Sequence, residues 1–454
     1  MNTLPRTTIP MAYALETVPR YTSYPTAAQF DTHIDEGVCR DWLGALDPAA
    51  PLSFYVHVPY CRALCWYCGC HTSVLNDDAR IARYARRLMR ETELLAEATP
   101  TAGPVAHLHF GGGTPTILAS EDFAAVIDRI RELFPFAPNA EIAVEIDPRT
   151  LEPEMACALA QAGVNRVSLG IQDMDPQVQK LVNRVQPLED VVRTMDLLRN
   201  VGITRVNADF IYGLPKQTAA HVRKSIRTML DLGIDRAAVF GYAHVPWFKK
   251  HQNAIDADLL PGAGERLEQA RAAEAAFAEA GWEAIGFDHY AHPDDAMAQA
   301  ARAGTLRRNF QGYTTDGADT LIGIGASSIG ALPQGYVQNE PHLGKWAKSI
   351  DAGHLPVVRG VSVTADDHLR REVIMQLMAA LEVDLAEMAR AYGHEPAMFD
   401  AALMALESLV ADGLCRIEGY RIRVTPQARF FVRNVAARLD AHWEPSPGRH
   451  SLAV

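Results

Sequence analysis

The sequence predicts an α/β fold: a complete or partial (β/α) barrel with an N-terminal cover segment and a mostly helical C-terminal domain. Short β-branched or alternating apolar runs recur between amphipathic segments, the pattern of a parallel sheet built from βα units. Polar residues gather where the predicted strands end, and beyond about Val361 the strand–helix rhythm stops. Six or seven units suit a barrel better than a small sheet, while periodicity alone leaves an open doubly wound sheet as the alternative.

The elements follow in chain order. Residues 1–50 precede the first strand and carry Arg20-Tyr21-Thr22-Ser23-Tyr24-Pro25-Thr26, too rich in aromatics and hydroxyls for a mere tail. Strands are expected at Ser53–Val58, Val105–Phe110, Glu141–Ile146, Arg166–Leu169, Arg205–Ile211, Arg236–Phe240 and Glu283–Phe287. Helical spacing links Phe123, Val126, Ile127, Ile130, Leu133 and Phe134. It also links Val191, Met195 and Leu198, and then Val222, Ile226, Met229 and Leu230. These units give a barrel domain over 51–360. In 361–454, helices are expected at Leu385–Tyr392, Phe399–Leu409 and Ala428–Leu439, and Cys415–Val424 reads as a hairpin turning at Gly419-Tyr420, together a winged-helix-like unit.

Composition bounds the function. The 454 residues correspond to about three average domains. A hydrophobic fraction of 48 % excludes global disorder. A net charge of −12 without a basic block argues against tight nucleic-acid binding. No run of ~18 apolar residues appears, so no membrane span is expected. The first twenty residues lack a signal-peptide pattern, so a cytoplasmic enzyme is the expectation.

The residues expected at strand ends are Tyr55 and His57, Gly111 to Thr114, Glu145 and Asp147, Gln172, Asp209, His244, and Asp288-His289. In barrels and open α/β sheets alike, ligands bind at that end. The loop after the first strand adds Cys61, Cys65, Cys68 and Cys70, four of the seven cysteines, in the spacing C-x3-C-x2-C-x-C. An odd cysteine total without export signals argues against a disulfide framework. Three thiolates on one loop can each hold one iron of a [4Fe–4S] cube, leaving the fourth iron open to a ligand. A zinc knuckle using Cys70 or His71 as the fourth ligand is the alternative, although zinc ligands more often come as separated pairs. Cys39, Cys157 and Cys415 read as buried or incidental thiols.

C-x3-C with an aromatic before the third cysteine resembles the signature of the radical S-adenosylmethionine (SAM) superfamily. In that superfamily the open iron chelates SAM, and an electron from the cluster cleaves it to methionine and a 5′-deoxyadenosyl radical. Cys61, Cys65 and Cys68 would be the ligands. His109-Phe110-Gly111-Gly112-Gly113-Thr114-Pro115 matches the superfamily's glycine motif, where bare backbone N–H groups approach the methionine moiety. RYTSYPT, YVHVPYCRALCWYCGC, HFGGGTPT, EIDPR, GIQD, NADFIYGLPKQT, YAHVP, RNFQGYTT and GIGASSIG together resemble the oxygen-independent coproporphyrinogen III oxidases, from about Arg20 to the C-terminal helices.

The resemblance implies a radical SAM barrel with a [4Fe–4S] cluster and two SAM molecules. Tyr55, Gly112, Glu145 and Ile329 would contact the SAM on the cluster. Tyr67, Gly113, Thr114, Gln172, Arg184, Asp209 and Ala243 would contact the second. His57 is a candidate supporting residue, and Cys70 is expected to be no cluster ligand. The implied reaction converts the ring A and B propionates of coproporphyrinogen III to vinyl groups through abstraction at the β-carbon, with loss of CO2 and an electron. Implied partners are the tetrapyrrole, a flavodoxin or ferredoxin as reductant, and no second copy of the chain. A haem-binding chaperone of the same superfamily is the alternative; Cys70 and RYTSYPT speak against it. Arg20, Lys249, Lys250, Arg307 and Arg308 are candidates to hold the substrate's carboxylates.

Overall fold

The computed structural model describes residues 9–444, so the first eight and last ten residues of the outer predicted segments lie outside the described residues. Six βα units alternate as read. The strands are β1 (Leu52–Val58), β2 (Val105–Gly112), β3 (Phe136–Ile146), β4 (Arg166–Gln172), β5 (Val206–Tyr212) and β6 (Arg236–Gly241). After each comes a helix: α1 (Asp78–Ala98), α2 (Ser120–Leu133), α3 (Pro153–Gln161), α4 (Leu188–Asn200), α5 (Ala219–Asp231) and α6 (Ala263–Glu279). Side-chain caps fix some of the starts, with Asp77 accepting from the Arg80 N–H at 3.1 Å before α1 and Thr218 from the His221 N–H at 3.3 Å before α5.

The remaining strands of the sheet are β7 (Glu283–Ile285), β8 (His289–Ala291), β9 (Thr320–Ile324), β10 (Ile329–Leu332), β11 (Gly335–Asn339) and β12 (Val357–Ser362). The order is β12-β11-β10-β9-β1-β2-β3-β4-β5-β6-β8-β7. β9 to β6 run parallel, and the three strands at one end and two at the other are antiparallel. β7 and β12 do not pair, so the barrel is partial. Two expectations change here. Glu283–Phe287 is an antiparallel edge strand, not a further βα unit, because only three residues intervene before β8 folds back onto β6. Residues 320–362, which carry no βα signature, supply four strands.

Parallel strands usually read as unbroken apolar runs because both faces are buried. Here they alternate. Phe54, Val56, Leu108, Phe110, Val144, Leu169 and Phe210 face the helices and are fully buried. Phe54 meets Phe134 at 4.9 Å and Phe110 meets Phe123 of α2 at 4.8 Å between ring centroids. The other face carries Tyr55, His109, Glu145, Ser168, Asn207 and Asp209, so the interior of the half-closed sheet is a polar lumen. Deeper in it, Arg166 pairs with Glu141 at 2.9 Å and Arg236 with Asp295 at 2.5 Å, and each buried charge has a counter-charge.

The flanking segments close over this sheet. Asp31 forms an antiparallel bridge with Gly360 on β12. Tyr21 donates to Asp440 at 3.0 Å, and the Tyr24 hydroxyl accepts from the Ala441 N–H at 3.0 Å. In the C-terminal part the hairpin Cys415–Glu418/Arg421–Val424 forms as read, with Glu382–Asp384 as a third strand. The helix expected over Phe399–Leu409 is broken at Leu406 into Asp400–Ala405 and Glu407–Ala411, and Ala428–Leu439 begins as a 3-10 turn before Val432–Ala437. Among the described residues no helix is long and apolar enough to cross a membrane.

Candidate active site

The cysteine loop leaves β1 at the carboxyl end of the sheet and is held from several sides. Asn183 donates to the Leu64 carbonyl at 2.8 Å and the Trp66 N–H to Val182 at 2.9 Å. A segment after β6 clasps it as well: Lys249 bonds the Cys70 carbonyl at 2.9 Å, His251 the Cys68 carbonyl at 2.8 Å, and Gln252 the Tyr67 carbonyl at 3.1 Å.

Each of the three cysteines in the predicted ligand positions has a donor aimed at its sulfur. Thr72 and Thr114 hydroxyls lie 3.4 Å from Cys61 Sγ. Arg184 Nη1 lies 3.5 Å and Arg149 Nη2 3.8 Å from Cys65 Sγ. Cys70 hydrogen-bonds Cys68, which lowers the Cys68 thiol; the nearby charges of Lys249 and Arg184 assist against burial. Such donors stabilise thiolates, the form that binds iron or zinc. No three His, Cys, Asp or Glu side chains among the described residues converge on a single ion, and His71 Nε2 is bonded to the Pro341 carbonyl at 2.7 Å. With His71 engaged elsewhere and donors at the cysteine sulfurs, the loop suits three thiolates that each hold one iron of a cluster. All seven cysteines are free thiols; Cys39 and Cys415 are buried, Cys157 and Cys70 exposed.

The predicted SAM residues fall into two arcs. On the first, Glu145 of β3 accepts from the Gly112 N–H at 3.1 Å and faces His109 Nε2 at 3.3 Å. Burial opposes its ionisation, but the His109 and Gly112 contacts prevail and hold its pKa below the usual carboxylate value. Tyr55 stacks on His109 at 5.9 Å and is paired in register with Gly323 of β9. A Cβ at Gly323 would sit 3.0 Å from the Ile329 carbonyl, so Ile329 closes this arc. Gly112 has φ +114°, and a Cβ there would lie 2.6 Å from the His57 ring. Gly113 and Thr114 pack against the cysteine loop, with the Gly113 N–H on Val58 O and the Thr114 N–H on Tyr60 O, both at 2.8 Å. His57 is buried between the Tyr55 hydroxyl at 3.0 Å and the His71 carbonyl at 2.9 Å, and burial lowers it to about 4. Both ring nitrogens are engaged with the protein, so its geometry is that of a neutral brace.

The second arc gathers at the ends of β4, β5 and β6. A bulge at the end of β4 turns Gln172 into the left-handed region, φ +68°. The side chains of Gln172 and Arg184 both lie over Gly170, where a Cβ would meet Gln172 Nε2 at 2.8 Å and Arg184 Nη2 at 3.2 Å. Arg184 also donates to the Gly170 carbonyl at 2.5 Å and to Asp147 at 3.2 and 3.3 Å. Against burial, the charges of Arg184 and Arg149 hold Asp147 at about 2. Asp209 accepts from Ser168 at 2.9 Å and Asn207 at 3.0 Å; burial, reinforced by the charge of Glu145, raises it to about 6. Gln252 bridges the carbonyls of Tyr67 and Ala243, joining these two residues to the arc.

Asp147 appears in the sequence only as a strand-end carboxylate and Arg149 only within EIDPR, yet they form the ion-pair floor beneath Cys65 and Arg184. An Asp two residues before an Arg just past a strand was the available signal. Among the candidate substrate cations, Arg307 turns away to Glu372 at 3.4 Å, Lys249 serves the cysteine loop, and Arg20 and Arg308 lie at the lumen.

Residues 55–229 match the radical SAM superfamily model and residues 363–431 the HemN C-terminal domain model. The chain is 49 % identical to the oxygen-independent coproporphyrinogen III oxidase of Bradyrhizobium diazoefficiens, covering 99 % of this chain and 100 % of the relative. The chain belongs to the oxygen-independent coproporphyrinogen III oxidase family. The Paracoccus denitrificans member is 40 % identical with 96 % of each chain covered. A solved structure of Escherichia coli coproporphyrinogen III oxidase, described as a radical SAM enzyme, superposes with TM-score 0.89 at 36 % identity, covering 93 % of this chain and 98 % of that one. Membership of this radical SAM family brings a [4Fe–4S] cluster and SAM as cofactors, and the donor-lined cysteines of the loop fit that cluster.

Proposed function

We infer that the chain is an oxidoreductase that decarboxylates the ring A and B propionates of coproporphyrinogen III to vinyl groups without oxygen, giving protoporphyrinogen IX. The end-to-end match to a coproporphyrinogen III oxidase carries this reading. It favours catalysis over the haem-chaperone alternative.

Cys61, Cys65 and Cys68 would hold the [4Fe–4S] cluster, with Cys70 as a neighbour that lowers the Cys68 thiol. Bound there, the cluster and SAM would supply a primary carbon radical, the chemistry needed at an unactivated CH2 that no side-chain base could deprotonate. The chain's own residues bind, orient and exclude water. Tyr55, Gly112, Glu145 and Ile329 would hold the SAM at the cluster: the Glu145 carboxylate would suit its ammonium group, and glycine would leave room for backbone approach. Tyr67, Gly113, Thr114, Gln172, Arg184, Asp209 and Ala243 would hold a second SAM, with Asp209 placed to accept from hydroxyls. Support for a second site comes from the arc of Gln172, Arg184 and Asp209 and from the resemblance; Gly113 and Thr114 stand beside the cysteine loop, next to the first arc. Residues 51–360 form the catalytic barrel, and the described parts of the outer segments, 9–50 and 361–444, cover its mouth against water and stray hydrogen donors. The reading includes a cytoplasmic monomer whose cluster is reduced by a flavodoxin or ferredoxin.

Anaerobic reconstitution tests the assignment. Iron–sulfur absorbance, reductive cleavage of SAM and CO2 release from coproporphyrinogen III are expected together. Porphyrin binding with an intact cluster but no SAM cleavage would refute it.

A further inference from the structure

The three sulfurs in the predicted ligand positions are served unequally. Cys61 has two neutral hydroxyls, Thr72 and Thr114, at 3.4 Å, and Cys68 has the Cys70 thiol beside it. Among the described residues, guanidinium donors are aimed only at the Cys65 sulfur, Arg184 Nη1 at 3.5 Å and Arg149 Nη2 at 3.8 Å. Cys65 is also the buried one of the three, the other two being partly exposed. Arg184 belongs to the second arc, whereas Arg149 belongs to neither.

The turn after β3 explains how Arg149 reaches the sulfur. Pro148 restricts the backbone between Asp147 and Arg149, and its carbonyl accepts from Thr194 of α4 at 2.9 Å and from Arg193 at 3.4 Å. Asp147 then accepts from the Arg149 backbone N–H at 3.1 Å, from Nε at 2.9 Å and from Nη2 at 2.6 Å. This two-point hold on the guanidinium fixes its plane and directs Nη2 at Cys65. The same carboxylate takes Arg184 at 3.2 and 3.3 Å, so one acid aligns two guanidiniums on one sulfur. Two guanidiniums and one carboxylate leave a net positive charge. An ion pair that only closed the turn would carry no such surplus. The surplus faces a buried thiol, from Asp147 and Arg149 side chains that are themselves only 10 % and 18 % exposed.

We propose that Arg149, aligned by Asp147, is a positioning residue that donates to the Cys65 thiolate and raises the reduction potential of the cluster held there. The assignment rests on the reading that Cys65 is a cluster ligand. One-electron reduction adds negative charge that spreads onto the thiolate sulfurs, so a charged N–H aimed at one of them favours the reduced state. At a little-exposed site that preference is weakly screened. The role calls for arginine, because a lysine keeps the charge but cannot hold both carboxylate oxygens and the sulfur from one rigid plane.

The test is an EPR-monitored redox titration of the anaerobically reconstituted full chain, with dithionite as electron donor and without SAM. The variants are R149Q and R149K. R62Q is the control, because Arg62 carries a charge on the same loop but pairs with Asp78 at 2.6 Å. R149Q should lower the equilibrium constant for one-electron reduction about tenfold, ~59 mV in potential, with iron and sulfide content equal to the parent. R149K should give a smaller fall and R62Q none. An unshifted potential in R149Q with an intact cluster would overturn the proposal; a role in closing the turn alone predicts that result, together with lowered melting. An equal shift in R62Q would overturn it too. If R149Q assembles no cluster, R149K decides, and an unshifted potential there would have the same force. Failure of the ligand reading is distinguishable, since it appears as full iron–sulfur absorbance in C65A.

Discussion

Replacing Gly112 by alanine should cripple the SAM-facing wall by a calculable amount. At φ +114° a side chain costs about 1–2 kcal/mol in backbone strain. The new Cβ would fall 2.6 Å from the His57 Cε1 and 2.7 Å from its Nδ1. The ring cannot swing aside freely, because it is buried and tied to the Tyr55 hydroxyl and the His71 carbonyl; losing both bonds costs about 1 kcal/mol each. The total is ~3–4 kcal/mol. At about 2 °C per kcal/mol for a large domain, melting should fall by about 6–8 °C. If the backbone moves instead, it carries away the N–H that holds Glu145, and reductive SAM cleavage should drop about 100-fold. H57A removes the obstacle, so G112A in that background should cost only the strain, leaving a coupling of about 2 kcal/mol in melting measurements. Additive losses, or G112A with unchanged melting and cleavage, would refute this account of the wall.

Other outcomes follow from the same geometry. Alanine at Cys61, Cys65 or Cys68 should abolish iron–sulfur absorbance after reconstitution, whereas C70S should retain it; loss of the cluster in C70S would make Cys70 a ligand. Burial raises Asp209 to about 6, so affinity for the second SAM proposed at its arc should rise between pH 5 and 7 as the carboxylate ionises, and calorimetry on D209N should give a flat profile. Glu91 is fully buried, and burial raises it to about 8 against hydrogen bonds from the Gly325 N–H, Trp346 and Asn339. A carboxyl with a raised folded pKa loses stabilising protonation as pH rises from about 4.5 to about 8. Denaturation curves across that window should fall with pH, by at most about 5 kcal/mol, and E91Q should flatten them.

The strands that build the lumen were legible because alternate residues such as Phe54, Val56 and Val58 must face the helices, which imposes period two on the sequence. The strands after β8 were not. Gly323, Gly330, Gly335 and Gly360 interrupt the apolar pattern there, because neighbouring groups pass where their Cβ atoms would be, such as the Val361 carbonyl 2.1 Å from that of Gly335. The cysteine loop and glycine motif announced themselves through local spacing. The Asp147–Arg149–Arg184 floor did so only in part, since Arg184 reaches it across 37 residues. Arg20 and Arg308 stood out in the sequence as candidate cations, whereas Arg266 and Arg433 look like ordinary helix-surface arginines until the fold turns them inward.

The central claim is that the chain directs a SAM-derived radical to the propionate carbon next to the pyrrole. Coproporphyrinogen III deuterated at the propionate β-carbons, incubated anaerobically with reconstituted protein, SAM and a reductant, tests it directly by mass spectrometry of the 5′-deoxyadenosine formed. The account predicts deuterium in 5′-deoxyadenosine in step with CO2 release; CO2 release with unlabelled 5′-deoxyadenosine would contradict it.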